Sequence, residues 1–183
     1  MKGPIIGIVI VLALLATGAI FYASDALQAV PAAPVEQTYA NDLFEFSFSY
    51  PTGYLLAESE VGVLGRTHHV ISIIKEEDAV PRVYSEGPTA VTVDIYQNDT
   101  KPQTLEEWAQ SDESNAKLGD GVMTEGTVDG APALRYTWSG LYQGETTVFL
   151  HNDRIVAVSV TYMSQADDIY AVYGMLLNSL RLR

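Results

Sequence analysis

Residues 5–23 (IIGIVIVLALLATGAIFYA) are apolar without a single charge, whereas everything after them mixes polar and apolar positions in short periods. As a helix rising ~1.5 Å per residue the run measures about 28 Å, close to the hydrocarbon thickness of a bilayer. A lone segment in lipid must satisfy its own backbone hydrogen bonds, which a helix does. Pro4 stands at its mouth, where a missing N–H does no harm. Lys2 precedes the run, and Asp25, Glu36 and Asp42 are the first charges after it. The positive-inside tendency therefore keeps the amino terminus cytoplasmic and sends residues from about 24 onward outside, to the periplasm or cell surface. A cleaved secretory signal is the alternative, but such signals have apolar cores of about 7 to 15 residues ending in small side chains. This run is longer and its end carries the bulky Ile20, Phe21 and Tyr22, which favours a retained anchor over residues 1–23.

Residues 24–38 are rich in Ala with Pro31 and Pro34, and read as a stiff, extended tether before a domain spanning 39–183. That domain opens with Phe44, Phe46, Phe48 and Tyr50 alternating with Glu45, Ser47 and Ser49, a strand with one dry and one wet face. Pro51 and Gly53 end it in a turn. Residues 54–57 restart an apolar run, 69–75 (HVISIIK) are apolar on both faces as in a central strand, and 90–97 alternate through Val91, Val93 and Ile95. Between the last two lies a long connection, 76–89 (EEDAVPRVYSEGPT), of a length that is functional or mobile when it occurs.

Thr104-Leu105-Glu106-Glu107 has the spacing of a capping box, so a helix starts near Thr104 with Leu105, Trp108 and Ala109 inward, fading before Gly119. Two hairpins follow. Residues 122–128 meet 133–138 across Asp129-Gly130, and 146–151 meet 154–162 across Asn152-Asp153, pairs that tolerate left-handed backbone. Val156, Val158, Val160 and Tyr162 mark a dry side. Ile169, Val172, Tyr173, Leu176, Leu177 and Leu180 then form the apolar stripe of a final helix over 165–180, with Ser164 as its cap. Strands in meanders with two amphipathic helices give an α+β fold built on an antiparallel sheet.

The stretch Phe46-Ser47-Phe48-Ser49-Tyr50-Pro51-Thr52-Gly53-Tyr54, an aromatic-alternating strand closing in Tyr-Pro-x-Gly-aromatic, is similar to the opening of PsbP-like domains. The element order and the closing Ser179-Leu180-Arg181-Leu182 agree with it over roughly residues 39–183. The resemblance implies a sheet between helices, an α/β/α sandwich, and a role in binding or assembling other proteins. It carries no catalytic motif, and so names no catalytic, cofactor-binding or metal-binding residues.

Composition sharpens the picture. Formal net charge is −13, and Lys2 is the only charge before Asp25, so the acidic excess belongs to the outer part. Basic residues stand singly, which argues against nucleic acid and against lying on anionic lipid. The partners expected are membrane lipid through residues 5–23 and a protein. There is no cysteine, which excludes disulfides, thiolate metal sites and lipid attachment at cysteine.

Candidate chemistry is sparse. His68 and His69 are adjacent in a strand and point to opposite faces, so one metal cannot easily use both. Glu76-Glu77-Asp78 and Asp112-Glu113 lack calcium-loop spacing, and Asn98-Asp99-Thr100 fits a glycosylation sequon. The sequence therefore points to a membrane-tethered, non-catalytic interaction module that docks through a sheet edge or the 76–89 connection. An envelope hydrolase or metal-dependent enzyme using His151 or His69 is the alternative from another class, and it requires a concave pocket with a histidine beside a carboxylate. A secreted domain freed by signal cleavage is the third.

Overall fold

The computed structural model describes residues 35–63, 66–79, 87–98 and 103–183. The expected anchor at 5–23, most of the tether, and residues 80–86 of the 76–89 connection lie outside the described residues. Among the described residues, no helix is long and apolar enough to cross a membrane.

Ten strands form two antiparallel sheets. A small one contains β1 (Glu36–Asn41), β2 (Phe46–Pro51) and β10 (Arg181–Leu182) in the order β1-β2-β10. The large one contains β3 (Tyr54–Val63), β4 (Arg66–Lys75), β5 (Val91–Gln97), β6 (Met123–Val128), β7 (Ala131–Ser139), β8 (Gln143–His151) and β9 (Arg154–Tyr162), ordered β3-β4-β5-β9-β8-β7-β6. The helices among the described residues are α1 (Leu105–Ala109) and α2 (Asp168–Ser179), with short 3₁₀ turns at Glu76–Asp78 and Ala116–Leu118. β1 begins at Glu36, so the last residues of the stretch expected as spacer already pair with β2, where Tyr39 stacks on Phe48 at 5.0 Å.

Both hairpins form at the expected dipeptides. Asp129 and Gly130 have φ of 47° and 85°, and Asn152 and Asp153 have 47° and 57°, the left-handed geometry that suits strand twist. β9 sits between β5 and β8, so it is dry on both sides: Val156, Val158 and Val160 face one core, Ile155 and Ala157 the other.

The expected α/β/α sandwich is corrected. The aromatic strand β2 does not join the large sheet; it pairs with β1 and β10, and its Phe46 and Phe48 share with α2 the cover of one face of that sheet. Among the described residues, the opposite face is covered by α1 and the 3₁₀ turn after it, through Leu105, Trp108, Ala109 and Ala116. α1 keeps its capping box but runs only five residues. Beyond it Ser111 Oγ accepts from the Glu113 N–H, a side-chain bond that competes with helix.

The final helix is likewise shorter than expected, with Asp167 rather than Ser164 at its N-cap. Asp167 accepts from the Met163 and Ser164 N–H groups, and Ser164 Oγ accepts from Ala166, so Ser164 shapes the turn ahead of the helix. The apolar stripe is buried as expected at Ile169, Val172, Tyr173 and Leu176.

Candidate functional site

The three histidines are held apart. His68 and His69 lie on opposite faces of β4. His68 Nε2 is 3.2 Å from Asp94 Oδ1 and its ring stacks on Tyr96 at 4.4 Å. His69 Nε2 is 2.9 Å from Glu58 Oε2, with Phe44 at 4.8 Å on its other side. His151 Nε2 is 3.1 Å from the Glu45 carbonyl oxygen, beside Asn152. Among the described residues no three His, Asp or Glu side chains could together hold a metal ion. Asn98 of the sequon is buried and its amide is spent on Gln103, accepting from its N–H at 2.9 Å and donating to its carbonyl at 3.1 Å.

Of the two histidine–carboxylate pairs on β4, Asp94 with His68 is the more buried. β5 sends Val91, Val93 and Ile95 into the main core, which leaves Thr92, Asp94 and Tyr96 on the face that α1 shares. Burial pushes the Asp94 carboxyl above its ordinary range, although the Thr92 hydroxyl, donating at 2.9 Å, and His68 pull the other way. Tyr96 leads on to Trp108 at 5.5 Å, whose buried indole N–H has no partner among the described residues.

A second buried cluster was invisible in the sequence. Glu145 on β8 accepts from the Tyr170 hydroxyl at 2.7 Å, and Arg135 Nε stands 3.4 Å from its other oxygen. Next to it the Thr147 and Tyr173 hydroxyls are 2.7 Å apart. Burial, and then the bond to Glu145, raise the Tyr170 phenol to about 12. These groups tie α2 to the sheet. The signal available was Tyr170 and Tyr173 standing three apart on one helix, whereas Glu145 sits among the polar residues that open β8.

Two cavities border these elements, and neither is lined by a histidine. One of ≈ 250 Å³ opens beside Arg135 and Thr147; the other, of ≈ 340 Å³, lies at the start of α2 between Tyr54, Lys75 and Asp168. In the latter Lys75 Nζ is 2.8 Å from Glu77 and 3.6 Å from Asp168, so its cation already answers the local carboxylates.

What remains open is an edge. Among the described residues, β3 is the outer strand of the large sheet, ten residues long and paired with β4 alone. It exposes Leu55 (43%) and Val61 (38%) along one face and Glu58 and Glu60 along the other. A free strand of this kind can accept another strand through main-chain hydrogen bonds, with side-chain pairs setting which strand fits.

No protein-family model and no curated protein sequence matches the chain. Among solved structures it is similar to cyanobacterial PsbP (CyanoP) from Synechocystis sp. PCC 6803, with a TM-score of 0.56 and 10% identity over 85% of this chain and 96% of that one. The fold is therefore PsbP-like, as the resemblance of the first strand implies.

Proposed function

We propose that the chain is a non-catalytic binding or assembly module, tethered to a membrane through residues 5–23 and presenting its PsbP-like domain on the outer side. The observation that carries the binding role is the open β3 edge, a ten-residue strand with no strand partner beyond β4 among the described residues. Among the described residues its outward main-chain groups are available, whereas the two enclosed carboxylates are answered internally, Glu145 by Tyr170 and Arg135 and Asp94 by Thr92 and His68. The uncharged run after Lys2, followed by a proline-containing spacer, supports the tether and its direction.

The placement is tested by a carboxyl-terminal reporter that works only outside the cytoplasm, combined with fractionation. An active reporter on an intact chain in the membrane fraction supports the reading. Reporter activity confined to the cytoplasm, or an uncut chain in the soluble fraction, contradicts it.

A further inference from the structure

The geometry of β3 says more about what would dock there. The Glu76 N–H donates to the Gly53 carbonyl at 2.9 Å, and Tyr54 lies opposite Lys75 in an unbulged antiparallel ladder. Tyr54 and Lys75 are thus a non-hydrogen-bonded pair, and the pattern alternates from there. Residues 55, 57, 59 and 61 spend their N–H and C=O groups on β4. Leu56, Glu58, Glu60 and Gly62 turn theirs outward, and no backbone hydrogen bond from another described element meets them.

Side chains then restrict the occupant. Glu60 is opposite His69, and Glu58 is opposite Ile71 with its carboxylate turned to His69 at 2.9 Å, so both glutamates line the face that β1 and β2 border. Leu55, Ala57 and Val61 line the other face and are exposed. A second copy adding antiparallel at this edge would bring Glu58 and Glu60 against the same pair across the new ladder. Like charges directly opposite destabilise a strand pair, and a net charge of −13 on each chain adds to the repulsion. Inward-facing charges on an edge strand are how sheets refuse self-association. A strand with Lys or Arg at two alternate positions converts the same geometry into attraction. An apolar residue between those positions would fall opposite Ser59 and between Ala57 and Val61, and the next one along beside Ala57 and Leu55. The other margin, β6, is shorter and interrupted by Gly126, which weakens it as a template.

We infer that β3 takes up an extended segment of a partner protein as an added strand, cationic at alternate positions facing Glu58 and Glu60 and apolar between them. This rests on the reading of the chain as a binding module and gives its partner a chemistry.

The test uses the full chain in detergent and fluorescence anisotropy with a labelled peptide alternating Lys and Val. Two comparisons accompany it: the same peptide N-methylated at every second residue, which cannot form the ladder, and a Glu58→Lys/Glu60→Lys chain. Wild type is expected to bind the unmodified peptide, with at least tenfold loss on N-methylation and in the double variant. Glu60→Pro, which removes one outward donor and leaves the bonds to β4, should give a loss of the same order, and thermal melts confirm that each variant is folded. Equal binding of the N-methylated peptide, equal binding by the folded variants, or no binding to wild type overturns the proposal. The two levels separate in cross-linking from the chain's own cells. A double variant that still recovers the wild-type partner overturns the edge and leaves the module, whereas wild type recovering no partner overturns both.

Discussion

The Tyr170 hydroxyl donates to Oε2 of Glu145 at 2.7 Å, which fastens the final helix to β8 through a carboxylate whose side chain is only 7% exposed. Removing that donor leaves the carboxylate with Arg135 at 3.4 Å on its other oxygen. An unsatisfied buried acceptor costs about 1–3 kcal/mol, so Tyr170→Phe should lower the unfolding free energy by that amount, seen as a lower denaturant midpoint with an unchanged slope. A variant as stable as wild type would show that the bond is incidental.

The same tyrosine makes an alkaline prediction. Its pKa is 10.0 in an ordinary setting and about 12 here, so the folded state favours the neutral phenol. The stability this contributes is complete below the unfolded value and is lost as pH rises from 10 to 12. Tyr39, also raised to about 12, contributes in the same window, so Tyr170→Phe should flatten part of the decline, as read from melting temperatures over that range.

Asp94 predicts the opposite end of the scale. Burial raises its carboxyl above 3.8, which means the folded state prefers it protonated. That preference stabilises below the unfolded value and is lost as pH rises through the folded one. Asp94→Asn should therefore match wild type near pH 3 and be more stable than wild type at pH 7, as read from melting temperatures at the two pH values. A variant less stable at pH 7 would mean that the pair with His68 outweighs the burial cost.

Gly144 lies under Trp138. A Cβ at Gly144 would stand 2.1 Å from Trp138 Cε2, and the indole N–H donates to Thr146 Oγ1 at 3.0 Å. Gly144→Ala must displace the ring and break that bond, at a cost of about 1–3 kcal/mol. Loss of stability with a shift in tryptophan emission is the expected result.

Thr104 closes the capping box of α1, accepting from the Glu107 N–H at 3.2 Å while Glu107 bonds back to the Thr104 N–H at 2.9 Å. Thr104→Ala should cost about 1 kcal/mol, and Thr104→Ser should restore it.

Much of this architecture was legible from residue chemistry. Asp129-Gly130 and Asn152-Asp153 announced hairpins because few residues accept left-handed backbone, and Thr104 to Glu107 announced a helix start because both caps lie within one turn. Alternation in β2 told which of its faces is dry. It could not tell which strands would pair with it, since period two specifies a face and not a neighbour. This is why the small sheet, and with it the departure from a helix-flanked sandwich, emerged only in three dimensions. Asp94 and Glu145 were hidden for a related reason: a polar residue in an alternating strand looks wet, and only the strand's position in the sheet shows that both of its sides are covered. Ser164 has the residue type of a cap, but Asp167, three residues nearer the apolar stripe, sits where the helix begins.

The binding role on the outer side of a membrane is tested most directly by cross-linking intact cells with an amine reagent that cannot cross lipid, reading adducts of the full chain through exposed lysines such as Lys117. The expected result is one recurrent protein adduct before the cells are opened. Adducts that appear only after lysis, or none in repeated trials, would contradict it.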